Sequence, residues 1–165
     1  MMLFKESGWR LWWLIALVLV VDQLTKQVVI ANMQLFDSIE LLPVFNLTYV
    51  RNYGAAFSFL SDAGGWQRWF FTGIGLIAAV VMIWLIRKNT SQTLFCLAMS
   101  LVLSGAIGNV IDRILYGAVV DFVDLHYAGW HWPAFNIADS AICIGAALII
   151  WGELRKSFGK SAQSH

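Results

Sequence analysis

The chain has 165 residues, 59% of them hydrophobic and 13% charged, with a mean hydropathy of +0.70 and a net charge of +1. Soluble domains carry roughly 25% charged and about 45–50% apolar residues, so this composition excludes an ordinary soluble globule and indicates one integral membrane domain. The near-neutral charge offers no basic surface for nucleic acid. Cys96 and Cys143 both fall in apolar runs, which suits small packed side chains and not a disulfide or a metal site.

The first apolar run, residues 11–21, follows Lys5 and Arg10 in the manner of a signal peptide. No small-residue cleavage site comes after it. The pattern continues through Asp22, Lys26 and Val28-Val29-Ile30, which predicts a retained transmembrane helix over about 10–30. Asp22 and Lys26 are four apart, share a helix face and can neutralise one another. Residues 31–68 differ in character. Phe45-Asn46-Leu47-Thr48-Tyr49 alternates apolar and polar, as a short strand does. Pro43, Gly54 and the Gly64-Gly65 turn punctuate the segment, so a small extramembrane subdomain is expected there.

Two uncharged stretches follow and predict spans over about 69–87 and 92–112. The last apolar run reaches span length over 135–153 only if Asp139 is counted inside it, and Pro133 suits a helix start just before it. The prediction is therefore a single domain, residues 1–165, of four helices with outer loops at 31–68 and 114–134. Orientation follows from the basic residues. Seven of the eleven Lys and Arg flank one side of this arrangement, and eight of the ten acids lie on the other. Both termini are thus expected to face the cytoplasm, which gathers Asp22, Lys26, Asn52, Gly54, Asn109, Asp112, Arg113, Asp121, Asn136 and Asp139 at the outer face.

A carboxylate placed among apolar residues at a membrane edge costs a few kcal/mol to keep charged, so it needs a partner or a task. Asp121 sits between Val119-Val120 and Phe122-Val123, and Asp139 lies three residues after Asn136. Each can cap a helix or pair with an arginine. Alternatively the two converge and share one proton, giving an acid and a base in one site. Gly105 and Gly108 permit close helix packing. Asn109, Asp112 and Arg113 either satisfy themselves structurally or line a face that grips a substrate carbonyl or phosphate. His126 and His131 lie in an aromatic outer loop and read as interfacial. No metal-ligand spacing, no Gly-x-Ser-x-Gly and no Ser–Lys pair positioned for nucleophilic catalysis is present. A transporter needs polar residues through the full bilayer thickness, whereas residues 80–86 and 144–151 are apolar.

Five stretches occur in series with the four spans: Asp22-Gln23-x-Thr25-Lys26, Asn52-x-Gly54-Ala55-Ala56-Phe57, Gly108-Asn109-x-x-Asp112-Arg113, Val120-Asp121-Phe122 and Phe135-Asn136-x-Ala138-Asp139. Together they resemble the bacterial lipoprotein signal peptidase (signal peptidase II) family, from about Trp9 to Arg155. The resemblance implies an intramembrane aspartic endopeptidase that removes the signal peptide of diacylglyceryl-modified prolipoproteins, cutting before the lipidated cysteine. It implies Asp121 and Asp139 as the catalytic pair. It also implies Asp22, Lys26, Asn52, Gly54, Asn109, Asp112, Arg113, Asn136 and Ala138 as substrate-binding or supporting residues. The expected architecture is an all-α membrane protein of four transmembrane helices, with a small extracytoplasmic β-cradle after span one and a short surface helix after span three. No cofactor or metal is expected. The expected partners are the prolipoproteins, membrane lipids and the inhibitor globomycin; the enzyme is expected to work as a monomer in the bacterial inner membrane.

Overall fold

The computed structural model describes residues 3–54 and 64–161, with side chains over 11–54 and 64–158. Its helices are α1 (Leu3–Asn32), α2 (Gln67–Lys88), α3 (Thr93–Tyr116) and α4 (Ile137–Ser161). Within them Leu11–Asn32, Gln67–Lys88, Thr93–Tyr116 and Ile137–Phe158 are long and apolar enough to cross a membrane. At about 1.5 Å rise per residue such segments reach roughly 33 Å, which matches a hydrocarbon core of about 30 Å.

The helix α3 is the axis of the bundle and packs against α1, α2 and α4. In lipid the hydrophobic effect does not draw helices together, so close approach at small residues must. A Cβ at Gly105 would lie 2.2 Å from the Ala138 carbonyl oxygen, and one at Gly75 would lie 2.4 Å from Val110 Cγ2. Farther along the same α3–α4 contact, a Cβ at Gly145 of α4 would lie 2.7 Å from the Ala98 carbonyl oxygen. Glycine lets the α3 and α4 backbones touch at Gly105 and Gly145, and makes room for the Val110 side chain at Gly75.

Beside one end of the bundle stands a four-stranded antiparallel sheet in the order β1 (Ser38–Leu42), β2 (Phe45–Asn52), β3 (Val119–Tyr127), β4 (Trp130–His131). The register of β2 on β3 pairs Val50 with Asp121 and Asn52 with Val119, past a bulge between Leu47 and Val50. Ala128 and Gly129 both take positive φ, 51° and 80°, and close the β3–β4 hairpin with the two-residue turn that matches strand twist. Val29 of α1, Tyr49 of β2 and Val120 and Phe122 of β3 form one buried cluster. Each such side chain stabilises the fold by roughly 1.5–3 kcal/mol, and together they lock the sheet onto the end of α1.

The strand expected at 45–49 is present and runs on to Asn52. The segment after α3 corrects the expectation of a surface helix: residues 119–127 are strand. Val119-Val120-Asp121-Phe122-Val123 is β-branched and aromatic, and β2 offers it an open edge, so pairing wins over local helix formation. Asp121 therefore lies on a strand and not in a loop. The last helix begins at Ile137, two residues later than expected, because Asn136 serves as its cap; Pro133 stands outside it. Ala55, Ala56 and Phe57 of the expected Asn52–Phe57 motif lie outside the described residues.

Candidate active site

The helix ends next to the sheet bury a set of charges that no soluble core of this size would carry unpaired. Lys26 Nζ lies 2.9 Å from Asp22 Oδ2 and 2.7 Å from Asp112 Oδ2, and donates to Asn109 Oδ1 at 3.3 Å. Lys26, Asp22 and Asp112 are all fully buried. An ammonium has three hydrogens, and all three have partners. The Asp22–Lys26 pair follows from one turn of α1; the second carboxylate arrives from α3. Gln23 Nε2 closes the group by donating to Asp22 Oδ2 at 3.1 Å and to Asp112 Oδ1 at 3.0 Å.

The two carboxylates of this triad also reach outward, each to one backbone amide. Asp22 Oδ1 accepts the N–H of Ala138 at 2.9 Å, and Asp112 Oδ2 accepts the N–H of Val120 at 3.1 Å. Ala138 immediately precedes Asp139, and Val120 immediately precedes Asp121. A single ion cluster thus fixes the backbone beside both aspartates. The approach needs small neighbours: Ala138 is fully buried, and a Cβ at Gly108 would lie 2.6 Å from Asp22 Oδ2 and 3.3 Å from Ala138 Cβ.

Asn136 joins the two aspartates directly. Its Nδ2 donates to Asp121 Oδ1 at 2.7 Å and to the Val120 carbonyl at 3.2 Å, while its Oδ1 accepts the N–H of Asp139 at 2.9 Å. The backbone N–H of Asn136 returns a bond to Asp139 Oδ2 at 3.3 Å. That exchange is a capping box, with aspartate in the place usually held by glutamate. Asp139 Oδ1 accepts from Asn109 Nδ2 at 2.8 Å. Burial, followed by the neighbouring charge of Asp139, pushes the Asp121 carboxyl up to about 8, against the pull of hydrogen bonds from Asn136 and Asn52. The two carboxyls therefore bind a proton between them more readily than free carboxyls do.

The third side of the site is built by Arg113. Its Nη2 donates to the Gly54 carbonyl at 2.8 Å and its Nη1 to the Asn109 carbonyl at 3.3 Å. The guanidinium stands over the Phe71 ring, 5.4 Å from its centroid. Its Nε is buried and has no hydrogen-bond partner among the described residues. Asn52 accepts the Gly54 N–H at 3.0 Å and bonds the Asp121 carboxyl as well. Asp112 and Arg113, neighbours in sequence, do not satisfy one another: Asp112 turns to Lys26 and Arg113 to Gly54.

The structure thus brings Asp22, Lys26, Asn52, Gly54, Asn109, Asp112, Arg113, Asp121, Asn136, Ala138 and Asp139 into one connected cluster. His126 and His131 stand apart on the β3–β4 hairpin, stacked at 5.1 Å, with His131 Nδ1 2.9 Å from Asp124. Sequence reasoning missed two members. Gln23 stood inside the Asp22–Lys26 stretch, one residue from the carboxylate it bonds. Arg68 figured only as a basic flank of span two, whereas it caps the end of α3. No sequence spacing exposes a contact across 45 residues.

Comparison with known proteins gives this geometry a context. A family model described as signal peptidase (SPase) II matches residues 14–155. A lipoprotein signal peptidase of Polynucleobacter necessarius subsp. necessarius (strain STIR1) is 62% identical over 149 residues, covering 90% of this chain and 91% of that protein. One from Shewanella baltica (strain OS155 / ATCC BAA-1091) is 58% identical over 149 residues, covering 90% and 87%. Among solved structures, a bacterial membrane enzyme determined by the in meso method at 2.3 Å resolution superposes with a TM-score of 0.84 at 37% identity, over 92% of this chain and 91% of that one.

Proposed function

Because the chain belongs to the signal peptidase II family, we propose that it cuts diacylglyceryl-modified prolipoproteins just before the lipidated cysteine, with Asp121 and Asp139 as the catalytic pair. The chain is a multi-pass membrane peptidase of that family. The observation that carries the proposed chemistry is Asn136, whose one amide bonds both carboxyl-bearing residues. Two carboxyls so linked and so buried cannot both ionise at modest pH and share a proton. The pair titrates as a unit, so neither aspartate is assigned as the starting base.

In the proposed cycle, the ionised aspartate takes a proton from a water while that water's oxygen bonds to the scissile carbonyl carbon. The protonated aspartate gives its proton to the carbonyl oxygen. The tetrahedral intermediate then collapses: the carbon–nitrogen bond breaks as the aspartate holding the water's proton gives it to the departing amine, the other aspartate recovers a proton from the diol hydroxyl, and the pair is again singly protonated. Arg113 sets its guanidinium beside the pair, with an Nε–H that has no partner among the described residues, and Asn52 and Asn109 each hold one of the two aspartates. The ion triad keeps Ala138 and Val120 in place so that the two carboxyls do not drift apart. An error of 1 Å in such a site lowers rate by about 10²-fold.

The distribution of basic residues supports cytoplasmic termini and a site at the outer face of the inner membrane, where a substrate's lipid tails stay in the bilayer as its peptide bond meets the pair. A single domain acting as a monomer, open to competition by globomycin, completes the reading. The decisive experiment is cleavage of a diacylglyceryl-modified prolipoprotein in detergent by wild type, Asp121→Asn and Asp139→Asn. Each variant is expected to fold and to lose nearly all activity. Near-normal turnover in either would make that aspartate structural and end the aspartic mechanism.

A further inference from the structure

The helix α2 supplies neither aspartate nor any member of the buried triad, yet its first turns hold the end of α3 at two points. Arg68 Nε donates to the Arg113 carbonyl at 2.7 Å, and its Nη2 donates to the Ile114 carbonyl at 2.8 Å. The same Arg113 carbonyl also accepts the N–H of Gly117, at 3.1 Å, which closes the helix. Three residues along α2, Phe71 lies beneath the Arg113 guanidinium. One turn of α2 therefore touches both the backbone and the side chain of Arg113.

The chemistry suits the place. The last carbonyls of a helix have no intrahelical donor, and a cation there complements the helix dipole. A guanidinium is a flat, rigid fork pre-organised to serve two such carbonyls at once, where lysine offers a flexible point charge. Arg68 is itself held, stacked 4.7 Å over the Trp69 ring. Gly117, with φ of 79°, lets the chain turn away beside it; a Cβ at that position would lie 3.7 Å from Arg68 Nη1. The turn so fixed is the one that presents Asn109 to Asp139, Asp112 to Lys26 and Arg113 to Gly54. Helix ends fray unless tied, and a frayed end here would swing Arg113 first.

We infer that Arg68 is a positioning residue for peptide-bond cleavage, acting through Arg113. The inference rests on the reading that Arg113 serves the site. A merely structural arginine would lower stability and leave the surviving folded enzyme at full rate. A positioning arginine lowers the rate of the folded enzyme, and its effect vanishes once Arg113 is already compromised.

The test is a double-mutant cycle in detergent, with kcat, KM and melting temperature measured for Arg68→Gln, Arg68→Lys, Arg113→Lys and the Arg68→Gln/Arg113→Lys pair. Arg87→Gln, at the far end of α2, is the control expected to keep wild-type activity. Arg68→Gln is expected to lower kcat about tenfold to 10²-fold, with Arg68→Lys recovering only part of the loss. The double variant is expected to be no worse than Arg113→Lys alone. If Arg68→Gln does not fold, the same comparison is made with Arg68→Lys in its place. Losses that multiply in the double variant, or a wild-type kcat in Arg68→Gln beside an impaired Arg113→Lys, overturn the inference and leave the site reading intact. A wild-type Arg113→Lys overturns the site reading of Arg113, and this inference with it.

Discussion

Replacing Lys26 by methionine removes one positive charge from a fully buried position and strands two carboxylates. At separations of 2.9 and 2.7 Å, and with an effective dielectric constant of about 20, each pair has a Coulomb energy of about 6 kcal/mol. Most of that is offset, because the variant no longer has to take an ammonium out of water. Removing one partner of a buried pair nevertheless destabilises by about 3–5 kcal/mol, since the remaining charge has no compensation. With two carboxylates left behind, the upper part of that range is expected, or a fall in melting temperature of about 10 °C for a chain of this size. The assay is thermal unfolding in detergent at fixed pH and lipid content. A second variant isolates the cause: Lys26→Met combined with Asp22→Asn and Asp112→Asn has no stranded charge. It retains an acceptor for the amides of Ala138 and Val120, and is expected to recover at least half of the loss. A loss below about 1 kcal/mol in the single variant, or a triple variant no better than the single one, would refute this account of the triad.

The pH dependence follows from Asp121, whose carboxyl ordinarily titrates at 3.8 and here holds its proton to about 8. The folded state binds more protons than the unfolded state between those values, so stability contributed by this group is complete at acid pH and is lost as pH rises toward 8. Asp121→Asn should abolish that slope and melt higher than wild type near pH 8, while wild-type cleavage should fall above about pH 8 as the shared proton leaves; an unchanged slope in the variant sinks the assignment. Gly105→Ala places a methyl group 2.2 Å from the Ala138 carbonyl oxygen and should destabilise by about 1–3 kcal/mol, with a parallel loss of cleavage because Ala138 leads into Asp139. Asn136→Ala should destabilise by about 1 kcal/mol through the lost cap and abolish most activity. Asn136→Asp should recover neither the melting temperature nor the rate, because it can cap α4 but sets a third buried carboxyl against Asp121 and has no N–H for it.

The four helices were legible because each is an apolar run of span length, a signal that lipid makes nearly unambiguous. The Asp22–Lys26 pair was legible for a similarly local reason, one helical turn. What could not be read was the second partner of Lys26. Asp112 stands 86 positions away and beside Arg113, so adjacency suggested the wrong ion pair. Successive helix residues point about 100° apart, and Asp112 faces α1 as Arg113 turns toward Gly54. The segment after α3 went to strand because β2 was there to receive it, and the existence of that edge is a tertiary fact. Gly54 takes part through its carbonyl, which side-chain chemistry does not reveal.

At the level of sequence, the two readings of Asp139 looked exclusive: a helix cap or a catalytic acid. The geometry makes the cap compatible with the proposed catalytic role. As the third residue of α4 its Oδ2 accepts the Asn136 N–H, and the cap's own oxygen takes the Asp139 amide in return. That reciprocal pair sets the rotamer of the carboxyl and leaves Oδ1 to Asn109. Asn136 is then fixed in orientation, since its oxygen is committed to the helix and its nitrogen must face Asp121. Aspartate at the cap would serve α4 equally well, but it would set a third carboxyl against the other two. Glutamine would carry the same amide one methylene too far. Capping, which by itself is worth about 1 kcal/mol, is here combined with a bond to Asp121, so that one asparagine at a helix start ties both aspartates to the same point of the backbone.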